Sequence, residues 1–502
     1  MVKKNLLSRL LIVSIAAAIL VALSLPVSHL VATVVRDQDS LESVLADYAD
    51  DVSRLNAIRV QEIWAVPDSP DDAELQLVEL LARARRDQLP VSIAGARHSM
   101  GAHTIAPDGI IINMLPFNEM SLSEDGDVLT VQAGALWSDV IPFLDRHGRS
   151  VAIMQSDSSF SVGGTLSVNA HGWQAKRPPI SSSVKSFRLL LADGSILRCS
   201  REENAELFSL VLGGYGLFGI ILEAELWTVP NEWYEVERYS VPAERFAEVF
   251  REQVDGDEAV EMAFGRLRVT PKSFLEDAVL TVYRKTSQVS EPLPALTESA
   301  LDPLRRVIFR GSVESDYGKR LRWNLETTFG EKVGGDFVSR NQLLNTDVSL
   351  YANRVEEQTD IIHEYFVPPN QLEAFLMLAR EIIPRHSTDL LNITLRDVRE
   401  DNDTYLRYAD QNALAVVMLF SQSRTEVAEA SMREMTRELI DASQSVGGRY
   451  YLPYRPHATE EQFLQAYPQA EEFVELKRAY DPGTLFSNQF YDKYLSWLGV
   501  DE

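Results

Sequence analysis

The chain has 502 residues, 45% of them hydrophobic and 24% charged, and its 74 acidic against 48 basic side chains give a formal charge of −26. That length exceeds one comfortable core, so two or three domains are expected. The charge argues against nucleic acid or an anionic membrane surface as partner, since both need clustered Lys and Arg, and the single cysteine, Cys199, excludes an internal disulfide and a cysteine-based metal site.

Lys3, Lys4 and Arg9 precede a stretch from Leu10 to Val35 interrupted only by Pro26 and His29, and Leu10 to Ser28 carries no charge. It is long enough to span a bilayer. A cleaved signal peptide is the competitor, but its apolar region is usually shorter and no Ala-x-Ala site closes this one. The basic flank before it and the acidic one after it (Asp37, Asp39, Glu42, Asp47) predict a single-pass membrane protein with its body on the non-cytoplasmic side. Cleavage would instead make the body secreted or periplasmic.

Val60 to Val66 reads as a strand, and Ser69-Pro70-Asp71-Asp72 as a helix start, with Ala73, Leu77, Leu80, Leu81 and Ala84 on one face. A second strand, Val91 to Ile93, stops at Ala94-Gly95-Ala96-Arg97-His98-Ser99, where small residues let backbone N–H groups approach an oxygen-rich ligand. Alone, this also reads as an ordinary turn. Gly109 to Asn113 and Val128 to Gln132 add strands, and a helix follows from Trp137 through Leu144.

The segment from Ser161 through Gly163, Gly164, Thr165 and Asn169 to His171 and Gly172 has few bulky side chains and many polar ones, a poor core element but a good lining for a polar ligand. Val184 to Ala192 and Ser195 to Cys199 flank Asp193-Gly194 as a hairpin. Gly214-Tyr-Gly-Leu-Phe-Gly219 matches the dinucleotide fingerprint, but a helix precedes it and a strand from Ile220 follows, the reverse of the Rossmann order. Beyond Pro230, strands at 262–269, 279–283, 363–367, 391–398 and 413–420 and helices at 372–383 and 427–443 predict an α+β domain with an antiparallel sheet. Glu291 to Pro303 reads as a surface loop.

Four segments together resemble the FAD-dependent oxidoreductases of the vanillyl-alcohol oxidase and p-cresol methylhydroxylase type, especially the alditol and sugar-lactone oxidase branch. They are Ala94 to Ser99, Gly163-Gly-Thr through His171-Gly172, Gly213 to Ile221, and Tyr480-Asp-Pro-Gly-Thr-Leu-Phe-Ser-Asn488. The resemblance implies an FAD-binding domain of two α/β subdomains at 56–230, a substrate domain at 231–455 and a C-terminal segment, 456–502, completing the site, after a membrane anchor or signal segment at 1–36. It implies FAD contacts by Ala94, Gly95, Ala96, Arg97, His98, Ser99, Ser161, Gly163, Gly164, Thr165, Asn169, His171, Gly172, Gly219, Ile221 and Asn488. His98 matches the position joined covalently to the flavin in many members, and the nearby imidazole suits such a bond.

On the catalytic side, Asn392, Thr394 and Arg396 alternate onto one face of a strand. Related enzymes carry a Glu-x-Arg pair there, so Arg396 fits and Thr394 departs. Arg455-Pro-His457 begins a motif whose later Lys is missing, because Ala458, Thr459 and Glu460 follow. The expected activity is oxidation of a CH–OH group of a small alcohol or lactone by hydride transfer to the flavin, with Arg396 steadying the oxygen, His457 a candidate base, and oxygen or another carrier as acceptor. The rival is a membrane-tethered binding protein that kept the fold and lost the chemistry. No metal site is expected: His98, His103 and His171 have no acidic residue at ligand spacing. A serine hydrolase built on Ser99 fails because Arg97 stands where its turn needs glycine.

Overall fold

A computed structural model describes residues 24–38, 40–41, 47–287, 293–297, 299–328 and 337–499. Most of the expected span, residues 1–23, lies outside them. Among the described residues no helix is long and apolar enough to cross a membrane. Residues 24–36 are helical, and their inner face packs on the protein: Thr33 is buried, and His29 Nε2 donates to the Gly311 carbonyl at 2.9 Å.

The first unit begins with strand β1 (Glu62–Ala65), helix α1 (Pro70–Asp87), β2 (Val91–Ala94) and β3 (Ile110–Asn113). The three strands form a parallel sheet in the order β1–β3–β2. The predicted face of α1 closes it: Ala73, Leu77, Leu80, Leu81 and Ala84 are all buried, against a cluster that includes Val91, Ile110 and Ile112. That burial supplies the main stabilisation, about 1.5–3 kcal/mol for each large aliphatic side chain. Residues 485–487 run beside β2, with Val91 N–H donating to the Leu485 carbonyl at 2.7 Å and Ser487 N–H to the Val91 carbonyl at 3.0 Å. The C-terminal segment is therefore stitched to the strand that ends in the small-residue turn.

An antiparallel sheet follows, built from β4 (Met120–Leu122), β5 (Val128–Gln132), β6 (Val184–Leu190), β7 (Ile196–Ser200) and β8 (Ile220–Pro230) in the order β7–β6–β8–β5–β4. Residues 149–151 pair with β8 off this path. The β6–β7 turn is the one expected: Gly194 has φ of +93°, and Asp193 accepts the Ser195 N–H at 2.8 Å. Helices α2 (Trp137–Asp145), α3 (Val162–Ser167) and α4 (Ala205–Val211) pack around it.

The second unit is one antiparallel sheet of eight strands, in the order β12–β9–β11–β10–β14–β15–β13–β16. These are β9 (Trp233–Pro242), β10 (Val260–Leu267), β11 (Asp277–Lys285), β12 (Phe337–Ser339), β13 (Gln358–Val367), β14 (Asp389–Val398), β15 (Ala413–Ser423) and β16 (Arg449–Tyr450). Helices α5 (Asp302–Arg310), α6 (Asp316–Thr328), α7 (Leu372–Ile382) and α8 (Glu426–Ser445) belong to it. Pro303, expected in a loop, sits instead in the first turn of α5, where its missing N–H costs nothing.

Candidate active site

The turn after β2 is shaped to receive a ligand. A Cβ on Gly95 would lie 1.9 Å from Ser161 Oγ, so only glycine brings the turn this close to the segment before α3. Arg97 holds a left-handed φ of +55°, uncommon for a side chain other than Gly, Asn or Asp. Ser161 Oγ accepts the Ala96 N–H at 3.3 Å, tying the two small-residue segments together. Behind them Trp137 Nε1 donates to Thr165 Oγ1 at 2.9 Å, and that hydroxyl donates in turn to Gln155 Oε1 at 2.9 Å, fixing α3 against α2.

These segments open onto a cavity holding about 1350 Å³ of empty space, its mouth included. Of the residues expected to contact FAD, Gly95, Ala96, Arg97, His98, Ser99, Ser161, Gly163, Gly164, Thr165, His171, Gly219 and Ile221 line it. Four do not. Ala94 is fully buried as the last residue of β2. The Asn169 side chain is spent on Asp401 (2.8 Å) and the Ser181 N–H (3.0 Å). Gly172 packs under Met154, whose carbonyl oxygen would be 2.0 Å from a Cβ there. Asn488 caps a helix and donates to the carbonyl of Tyr215, a lining residue, at 2.9 Å, so it supports the wall from behind.

His98 stacks on Phe160 with ring centroids 4.1 Å apart. Burial lowers its pKa, which keeps the imidazole neutral. Its Nε2 faces the Ser159 carbonyl at 3.3 Å. A carbonyl only accepts, so that nitrogen carries the proton and Nδ1 keeps a free lone pair.

The far wall comes from the eight-stranded sheet. Arg396 on β14 lines the cavity, and its Nη2 donates to Ser156 Oγ at 2.9 Å. The sequence reading lacked a carboxylate at Thr394, but the structure has one in the same row two strands away. Thr394 pairs with Val417 on β15, and Val417 pairs with Glu364 on β13. Paired residues share a face, so Glu364 points to the side that carries Arg396, and both line the cavity. Glu364 Oε1 accepts from His171 Nε2 at 2.6 Å, and Oε2 accepts from the Tyr454 hydroxyl at 2.9 Å. Burial alone would raise its pKa, but the His171 ring and hydrogen bond, the Arg396 charge and the Tyr454 hydroxyl outweigh it, so the group lies below the ordinary glutamate value. A second carboxyl, Asp157, also lines the cavity; burial pushes it up to about 6 while Arg396 pulls the other way.

His457 is not among the lining residues, which corrects its expected place as a base. It is buried, with Nε2 2.7 Å from Glu429 Oε1 and Nδ1 2.9 Å from Thr436 Oγ1. The chain bends at Pro456, so Tyr454 faces the cavity while His457 turns into the protein behind it. Glu460, where the missing lysine would stand, is exposed at the start of the next helix. Glu364, Tyr454 and Asp157 escaped the sequence reading. One signal was available for Glu364, since an acid next to the apolar run Tyr365 to Val367 in a strand must find a partner once that strand is buried.

The cavity fits a flavin. Gly95 lets the turn close against Ser161, so two small-residue segments line the cavity side by side, and several lining residues carry a buried polar atom that lacks a hydrogen-bond partner among the described residues: His103 Nδ1, Thr104 Oγ1, His171 Nδ1 and Arg396 Nε. Residues 69–200 match the family described as FAD binding domain. The chain is 32% identical to L-gulonolactone oxidase of Mus musculus over 30% of this chain and 35% of that protein. It is 31% identical to the Bos taurus protein of the same name over 34% and 38%, and 36% identical to cytokinin dehydrogenase 2 of Arabidopsis thaliana over 27% of each. The chain thus matches about a third of the length of these curated relatives.

Proposed function

We propose that this chain, which carries an FAD-binding domain of the p-cresol methylhydroxylase type, is an FAD-dependent oxidoreductase that oxidises a CH–OH group of a small alcohol or lactone. The observation that carries this reading is the shared cavity: the turn from Gly95 to Ser99 forms one wall, and Arg396 with Glu364 forms the other. FAD, when bound, accepts the hydride; the protein has only to hold the substrate carbon in place and manage the hydroxyl proton.

Gly95, Ser99, Ser161 and Gly164 would hold the cofactor's phosphates and Gly219 and Ile221 its ring system, while Arg396 steadies the substrate oxygen as negative charge grows on it. The Tyr454 hydroxyl already donates to Glu364, so its lone pairs are left to accept the substrate O–H. As that proton arrives on Tyr454, the phenolic proton passes to Glu364, and the tyrosine stays neutral throughout. Burial and the adjacent Glu364 charge raise the Tyr454 pKa well above its usual value, in keeping with a neutral relay. A carboxylate placed in this way speaks against a binding protein that has lost its chemistry. The names of the gulonolactone oxidases support a lactone among the substrates to be tried. We also infer that His98 holds FAD covalently through its free Nδ1.

Anaerobic titration of the purified protein with a panel of alcohols and lactones tests the reading: one of them should bleach the flavin, and Arg396→Ala should slow that bleaching by about 10²–10³. If Arg396→Ala, with full flavin content, is reduced at the parent rate, the substrate is held elsewhere. Acid precipitation should leave the yellow colour in the pellet for the parent and in the supernatant for His98→Ala.

A further inference from the structure

The 24–36 helix is built inside out. Its side toward the body carries the polar groups: His29 donates to the Gly311 carbonyl and stands edge-on to Tyr317 at 5.1 Å, Thr33 is 3% exposed, and Arg36 Nη2 donates to the Arg310 carbonyl at 2.8 Å. At the helix end Asp37 accepts from Arg306 at 2.8 Å. The surface beneath is shaped for this contact, since a Cβ on Gly318 would lie 2.9 Å from His29 Nε2.

The side facing away holds Val27, Val31, Val34 and Val35, each more than half exposed. Their spacing of four, three and one residues makes a single stripe down the helix. A surface helix in water turns its apolar stripe inward and its polar side out. Here the arrangement is reversed, and the stripe continues a sequence, Leu10 to Ser28, that has no charged residue.

We propose that the outward face of the 24–36 helix is a lipid-contacting surface, which lies against the acyl chains of a bilayer while the His29, Arg36 and Asp37 contacts clamp it to the body. The clamp makes the attachment rigid, so the face of the protein formed by α5 and the start of α6 is held next to the membrane. A charge of −26 argues against attraction by anionic headgroups as the cause, and no basic side chain lies on the outward stripe itself, so the contact depends on apolar burial and is insensitive to salt.

Cys199 is the only cysteine and is fully buried, so single labels can be placed on the full chain without removing it. Val31→Cys and Val34→Cys, with Leu75→Cys on α1 as an exposed control, would each carry a bimane fluorophore. The labelled proteins are reconstituted into phosphatidylcholine vesicles containing lipid with a nitroxide on its acyl chain, and flavin content verifies that each is folded. The labels at 31 and 34 should be quenched at least twofold more than the one at 75, equally in 50 mM and 500 mM salt (order-of-magnitude range for screening). Equal quenching at all three positions overturns the proposal. So does dipolar broadening between spin labels at position 31 of two copies without lipid quenching, because a second copy would then cover the stripe.

Discussion

Replacing Glu364 with glutamine tests the proton route most directly. The two carboxylate oxygens each accept one hydrogen bond, from His171 Nε2 at 2.6 Å and from Tyr454 Oη at 2.9 Å. Glutamine keeps one acceptor and puts an NH2 group where the other stood, so a donor must face one of two donors. If it faces Tyr454, the phenol must rotate to accept from it and its proton swings away. The loss is one charge-assisted hydrogen bond inside the protein, about 1.5–3 kcal/mol of stability. The rate should suffer more, since a positioned proton acceptor contributes about 10²–10⁴-fold, or roughly 3–5 kcal/mol of barrier at 1.36 kcal/mol per tenfold. The assay is anaerobic stopped-flow reduction of the bound flavin by whichever compound bleaches the parent best, with rates compared at equal flavin content. Tyr454→Phe should slow reduction less, because it removes the relay but leaves the Glu364 charge. Because Glu364 titrates below the ordinary glutamate value, the parent's reduction rate should hold as the pH is lowered to that ordinary value and fall only in more acid solution. If Glu364→Gln reduces its flavin at the parent rate, the substrate proton leaves by another path and the proposed relay is wrong.

Gly95→Ala should fold yet lose most of its flavin, because its new Cβ collides with Ser161; Gly95→Ala with Ser161→Gly should recover part of it, and an undiminished yellow single variant would show that this turn is not the phosphate cradle. Asp157 has a folded pKa of about 6 against 3.8 when unpaired, so the native state holds the extra proton and stability falls as pH rises through that window. Asp157→Asn should therefore be more stable than the parent at pH 7, by about 1–3 kcal/mol, and no more stable at pH 4, in urea unfolding. His457→Ala breaks a buried bond to Glu429, a carboxyl that burial pushes up but His457 and Arg455 draw down to about 2. It should cost about 2 kcal/mol of stability while leaving the rate of flavin reduction within twofold; a tenfold slower reduction at full flavin content would return His457 to the active site.

The flavin side of the cavity was legible because its signals are local. Ala94 to Ser99 and Gly163 to Thr165 are short small-residue runs, the first of which reads alone as an ordinary turn, and they point to one ligand only when taken with Gly213 to Ile221 and Tyr480 to Asn488; α1 and the Asp193-Gly194 hairpin follow from periodicity and turn chemistry alone. The substrate side was legible only in part, because its geometry is made across strands. Arg396 could be placed on a face from its own strand, but the Glu364 row runs through β15, and its partner His171 lies 193 residues away. No spacing rule reaches that far. His457 misled for a different reason: it was chosen because Arg455-Pro-His457 resembles the start of a family motif, and a match of three residues says nothing about which way the ring points. Strand β9 and helices α5 and α6 went unread because their apolar positions are diluted by charged residues that pair within the fold, as Arg284 does with Glu237 and Lys319 with Asp389.

The pairing of residues 485–487 with β2 bears on how the molecule is made. On the ribosome, Val91 emerges early, and the strand that will carry the cradle has one edge covered by β3 while the other stays bare until both sheets have been synthesised. An uncovered edge is a template for unwanted strand pairing, and domains tend to fold as they appear. The strand that leads into the small-residue turn is therefore completed late, when the chain returns to its own beginning, and messages or proteolytic fragments ending before Leu485 would yield a first unit that is nearly whole, bare along this edge and prone to aggregate.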